Sequence, residues 1–143
     1  MWIMWISTSV LSEIENSIGC IIPETGGIIA EKDGIICRFV YDIKGSSSST
    51  IYCPNVEFLN SVINDLYEDN IHFCGIVHSH GNSDFTLSKK DIDFARAILS
   101  NNQDILREVY FPIVSPKTAN NKFTIRAYKI DYNSVKIEKI NYI

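Results

Sequence analysis

Apolar positions along this chain switch repeatedly between helical and strand spacing. Met1 to Ile6 is a short apolar run that reads as an edge strand. Val10, Leu11, Ile14 and Ile18 then recur at helical spacing, with Ser7 or Thr8 placed to cap the helix and Gly19 near its end. Pro23 breaks the chain, and Gly26 to Ala30 follows as a buried strand. Lys32-Asp33-Gly34 predicts a hairpin turn, because Asp-Gly tolerates the positive φ such turns require, and Ile35 to Ile43 returns as the partner strand. Lys44 to Thr50 is a small polar, serine-rich loop. Asn55 is placed to cap a second helix reaching about Glu68, with Val56, Leu59, Val62, Ile63 and Leu66 facing inward. Ile71 to Ser79 is a strand, and Ser88 to about Ser100 is a third helix with Ile92, Ala95 and Leu99 on one face. Three further strands are expected at Val109 to Val114, Phe123 to Ile130 and Val135 to Ile140, with turns marked by Pro116 and asparagines. Hairpins and helical crossovers both occur, so the expected class is α/β with a mixed, curved sheet and helices packed on it.

Composition narrows the classes. The 143 residues match one domain, with no internal repeat and no domain-scale linker, so 1–143 reads as a single unit. A net charge of -4 without a basic stripe argues against nucleic acid as a partner. No apolar run approaches the ~20 residues of a membrane span. The apolar start lacks the positive flank of a secretory signal. Cys20, Cys37, Cys53 and Cys74 lie far apart, which disfavours a zinc knuckle or a disulfide framework and suits a reducing cytoplasm. They read as small buried hydrophobes.

The chemistry concentrates in IVHSHGNSDFTLSKKD, residues 76–91. On a strand, His72, Cys74, Ile76, His78 and His80 fall on one face, and the Cα atoms of His78 and His80 lie roughly 6.5 Å apart. Two imidazoles at that spacing can converge on one ion. Ser88 stands at an expected helix N-cap and Asp91 three positions later, which by itself is an ordinary capping box. Joined, the pieces give a His, His, Asp ligand set with a fourth tetrahedral position open, the arrangement of catalytic zinc. In a chain with three histidines, this pattern arises by chance in roughly one sequence of a few thousand. His72 has no partner at metal-ligand spacing and reads as a strand-end residue.

The pattern of an upstream glutamate, His-Ser-His, seven residues and Ser-x-x-Asp resembles the JAMM motif of the JAB/MPN metalloproteases. The resemblance extends over the opening helix, Pro23-Glu24-Thr25-Gly26-Gly27, Val77-His78-Ser79-His80 and Leu87 to Asp91. It implies a cytidine-deaminase-like JAB/MPN core and one catalytic Zn2+ held by His78, His80 and Asp91. It further implies Glu24 as the group acting on water at the zinc, and Ser88 as the donor to the developing oxyanion. The implied activity is that of a zinc isopeptidase or peptidase, which removes or processes a ubiquitin-like or sulfur-carrier protein at its C-terminal tail. Activating or conjugating enzymes of the same pathway are the implied partners. Gly81 stands where many members of the family carry proline, which implies a more mobile loop from Gly81 to Leu87. Some MPN proteins are catalytically silent scaffolds, but those typically lose a ligand, and all five positions are kept here.

Overall fold

Ser7 caps the first helix: its hydroxyl accepts the Val10 amide at 3.2 Å. In the computed structural model, which describes residues 3–20, 24–47, 52–81, 85–119 and 122–143, that helix, α1, spans Thr8–Asn16 and passes into a 3-10 turn at Ile18–Cys20. Strand β1 (Ile3–Ile6) precedes it, and β2 (Gly26–Lys32) and β3 (Ile35–Tyr41) follow as a hairpin. The turn between them holds Asp33 at φ 54° and Gly34 at φ 81°, the conformation that Asp-Gly was expected to supply. Two short strands, β4 (Ser46–Ser47) and β5 (Tyr52–Cys53), pair with each other. Helix α2 (Val56–Glu68) is capped by the Asn55 side chain, which accepts the Phe58 amide. Strand β6 (His72–Ser79), helix α3 (Lys89–Asn101), and strands β7 (Val109–Tyr110), β8 (Ile113–Ser115), β9 (Thr124–Ile130) and β10 (Val135–Tyr142) complete the order.

The fold is mixed α/β, as the alternation predicts, but its sheet closes on itself. The strands run β10-β1-β3-β2-β6, then β7 and β8 side by side with β6, then β9, which pairs antiparallel with β10. A curved sheet with helices packed on it was expected, and closure is settled by the long-range pairing of β1 with β10, Ile3 with Lys139 through Ile6 with Tyr142. For the same reason β1 is no edge strand: it lies between β10 and β3, parallel to both. The expected strand Val109 to Val114 is split at Phe111-Pro112, where proline lacks the amide a ladder needs. The serine-rich segment expected to be a loop is partly paired, through β4; its residues 48–50, like the chain break expected at Pro23, lie outside the described residues. Val56, expected inside, is 57% exposed.

Two apolar clusters fill the molecule. Val10, Ile14 and Ile18 pack against the inward side chains Ile29, Phe39, Val77 and Ala127. On the outer face, Leu59 of α2 and Ala95 and Leu99 of α3 cover Ile28, Ile76, Phe111 and Ile113. Strand β6 separates the two, and it carries a bulge: Ile29 pairs with Gly75 but Ala30 pairs with Phe73, leaving Cys74 extra. The alternation therefore slips, and Cys74 joins the α1 cluster while Ile76 belongs to the helix-covered one. The single face expected to run through both is corrected accordingly. All four cysteines are free, but only Cys74 is buried, and Cys20 and Cys53 are exposed rather than core. Among the described residues no helix is long and apolar enough to cross a membrane.

Candidate metal centre

The C-terminal end of β6 delivers the two histidines. His78 and Ser79 pair with Ile113 and Val114 of β8, and the His80 amide donates to the Val114 carbonyl at 2.9 Å. His78 is 3% exposed and His80 9%. Helix α3 begins beside them. Ser88 is its N-cap, accepting the Asp91 amide at 3.0 Å, while Asp91 Oδ2 accepts the Ser88 amide at 3.1 Å. The capping box is real, and it aims the same carboxylate at the histidines.

Donor atoms of three residues converge. His78 Nε2 lies 2.9 Å from His80 Nε2. Asp91 Oδ1 is 3.4 Å from His78 Nε2, and Oδ2 is 3.6 Å from His80 Nε2. A tetrahedral ion with bonds of 2.0–2.1 Å requires ligand atoms about 3.3 Å apart. The donor set fits such an ion. Two neutral imidazole nitrogens this close repel each other unless a proton or a cation lies between them. The His78 ring is fixed by edge-to-face packing on Phe111 and His80, since its buried Nδ1 has no partner among the described residues. Burial acts to raise the Asp91 carboxyl, yet the attraction of His78 and His80 beside it outweighs burial and holds the group well below the ordinary carboxylate range. Asp91 is therefore an anion at any physiological pH, as a ligand must be.

Glu24 is half-buried and sits immediately before β2. Gly26 pairs with His78, and the Ser79 amide donates to the Thr25 carbonyl at 2.9 Å, so continuing the antiparallel register by one step sets Glu24 across from His80. Of the five residues singled out from the sequence, His78, His80 and Asp91 are thus joined by direct proximity, Ser88 by its cap, and Glu24 by register. His72 stays apart, bonded to Asn70 Oδ1 at 3.1 Å and packed edge-on against Tyr67. Gly81 is half-buried, and among the described residues a side chain there would meet nothing within 4 Å. Part of the loop that follows it, residues 82–84, lies outside the described residues. The chain is anchored again at Phe85, whose carbonyl accepts the Tyr128 hydroxyl at 2.6 Å.

Sequence reasoning missed one part of the surroundings. A groove of about 630 Å³ opens between α2 and α3, with Ile28, Ile76, Ile63, Phe94 and Ile98 among its lining. It touches β6 at His72, Phe73 and Ile76, and its lining among the described residues includes none of His78, His80 and Asp91. The helical periodicity of α2 and α3 carried this signal in part, but it does not tell a helix packed against its neighbour from one standing off it.

The class that fold and site define is a mixed α/β protein with a closed sheet and a His-His-Asp group able to hold a metal ion. Among solved structures, the chain resembles the solution structure of protein DSY2949 from Desulfitobacterium hafniense. The TM-score is 0.76 at 16% sequence identity, over 99% of this chain and 92% of that one. At that identity the likeness concerns the fold alone. No protein-family model and no curated protein sequence matches the chain.

Proposed function

We propose that the chain is a zinc-dependent peptidase of the JAB/MPN type, acting on the C-terminal tail of a ubiquitin-like or sulfur-carrier protein. The observation that carries this reading is the convergence of His78 Nε2, His80 Nε2 and the Asp91 carboxylate at tetrahedral-edge distances. Two imidazoles and one carboxylate suit zinc among the available cations, and three protein ligands leave room for water and substrate. Zinc in such a set polarises a carbonyl and makes a nucleophile of water near neutral pH.

The chain's own residues divide the remaining work. Glu24, rooted across from His80, takes the proton of the attacking water and passes it to the leaving amine. Ser88 already accepts the Asp91 amide through its hydroxyl oxygen, so its own O–H is the donor available to the developing oxyanion. The groove between α2 and α3 offers an apolar seat for the folded body of a protein substrate. Activating or conjugating enzymes would supply that substrate in the cytoplasm.

A panel of ubiquitin-like and sulfur-carrier proteins, each carrying a tail fusion after its terminal glycines, tests the reading. Cleavage after the glycines is expected with the zinc-loaded protein, abolished by a chelator and restored by zinc. If neither cleavage nor binding occurs with any member, the reading loses its support.

A further inference from the structure

Ser79 stands between the two histidines, and strand alternation turns its side chain away from the metal face. It is 1% exposed, and a buried hydroxyl is costly unless partnered. Its partner is the main chain of Thr25, approached from both sides. The hydroxyl accepts the Thr25 amide at 3.0 Å and is 3.3 Å from the Thr25 carbonyl, which also takes the Ser79 amide at 2.9 Å. A regular antiparallel pair would exchange two main-chain bonds. Here the second bond goes to the side chain, at the last step before Glu24. Thr25 is itself 5% exposed, so no solvent replaces that bond.

We infer that Ser79 is a positioning residue for Glu24: it ties the segment carrying that carboxylate to the strand carrying His78 and His80. The inference rests on Glu24 being the general base proposed above. Without the hydroxyl, the Thr25 amide loses its acceptor, and the segment ahead of β2 is held on one bond instead of two. An error of about 1 Å in a catalytic group is enough to cost on the order of 10²-fold in rate. The two histidines keep their own main-chain bonds, to the Pro112 and Val114 carbonyls.

The test compares Ser79→Ala with Ser79→Thr in the full chain; Ser79→Cys, near-isosteric but a weak acceptor, replaces Ala if that variant does not fold. Amide hydrogen exchange over residues 24–26 should quicken in the Ala variant and return to wild type in the Thr variant, while zinc affinity is unchanged in both. In the cleavage assay, kcat should fall roughly 10–100-fold at constant KM, and Ser79→Ala should add nothing to a Glu24→Gln background, because both act on one group. Wild-type exchange at residues 24–26 in the Ala variant would overturn the inference. So would loss of zinc like that of His78→Ala, which would mean that Ser79 supports the ligands instead. If the wild-type protein cleaves no substrate, the proposed activity fails, and the exchange and zinc measurements still decide whether Ser79 holds the Glu24 segment apart from the ligands.

Discussion

Asp91 is engaged in two directions: Oδ2 accepts the Ser88 amide while the carboxylate also faces both histidines. Replacing it by alanine therefore removes a helix cap together with a ligand. Asp91→Asn separates the two, because an amide oxygen still caps. Its unfolding midpoint should fall less than that of Asp91→Ala, because the cap remains while the carboxylate's attraction to the histidines is lost, and zinc affinity, measured by competition with a chromophoric chelator, should fall by 10-fold or more, about 1.4 kcal/mol. The depressed carboxyl also fixes a pH dependence. Its contribution to stability is present above the ordinary carboxylate range of about pH 4 and is lost as pH falls below that range. Glu24→Gln should keep one zinc and lose turnover; full activity in that variant would remove Glu24 from the reaction. Ser88→Ala should lower kcat more than substrate affinity and cost about 1 kcal/mol through the lost cap, read from denaturant unfolding. These residues were legible in the sequence because a metal imposes spacing on its ligands. Glu24 was legible through resemblance alone, since no local rule links it to a strand fifty residues later.

At the scale of elements, β2 and β6 carry the site, and glycines let their neighbours approach. A Cβ on Gly27 would lie 2.2 Å from the Val40 carbonyl oxygen, and one on Gly75 would lie 2.2 Å from that of Tyr110. Gly27→Ala should destabilise the fold by about 1–3 kcal/mol, because backbone rather than a flexible side chain must yield. An unchanged midpoint in denaturant would contradict this close packing. The helices and the β2–β3 turn were read correctly from periodicity and caps, which are local signals. The bulge at Cys74 was not, since it arises from pairing with β2 and leaves no mark in the residue pattern of β6. The pinning of the β4–β5 pair was also hidden. Tyr52 donates to the buried Asp42 carboxylate at 2.8 Å, ten residues away, across a stretch that composition describes only as polar. Burial first, and then that hydrogen bond, push the Tyr52 hydroxyl far above its ordinary range.

The whole molecule is a closed sheet with one helix set against the inward cluster and two on the outside. Sequence spacing delivers strands and helices but not which distant strands meet, so closure through β1 and β10 had to come from structure. Closure has a consequence for the site: β6 is flanked by β2 on one side and by β7 and β8 on the other, so its end is held on both edges. A rigid strand end presents both histidines with little entropy left to lose on binding. Zinc titration of the purified, metal-stripped chain tests this account most directly. It predicts one equivalent bound by wild type and none at the same concentration by a variant with His78, His80 and Asp91 all replaced by alanine. Equal binding by both proteins, or none by the wild type, would contradict it.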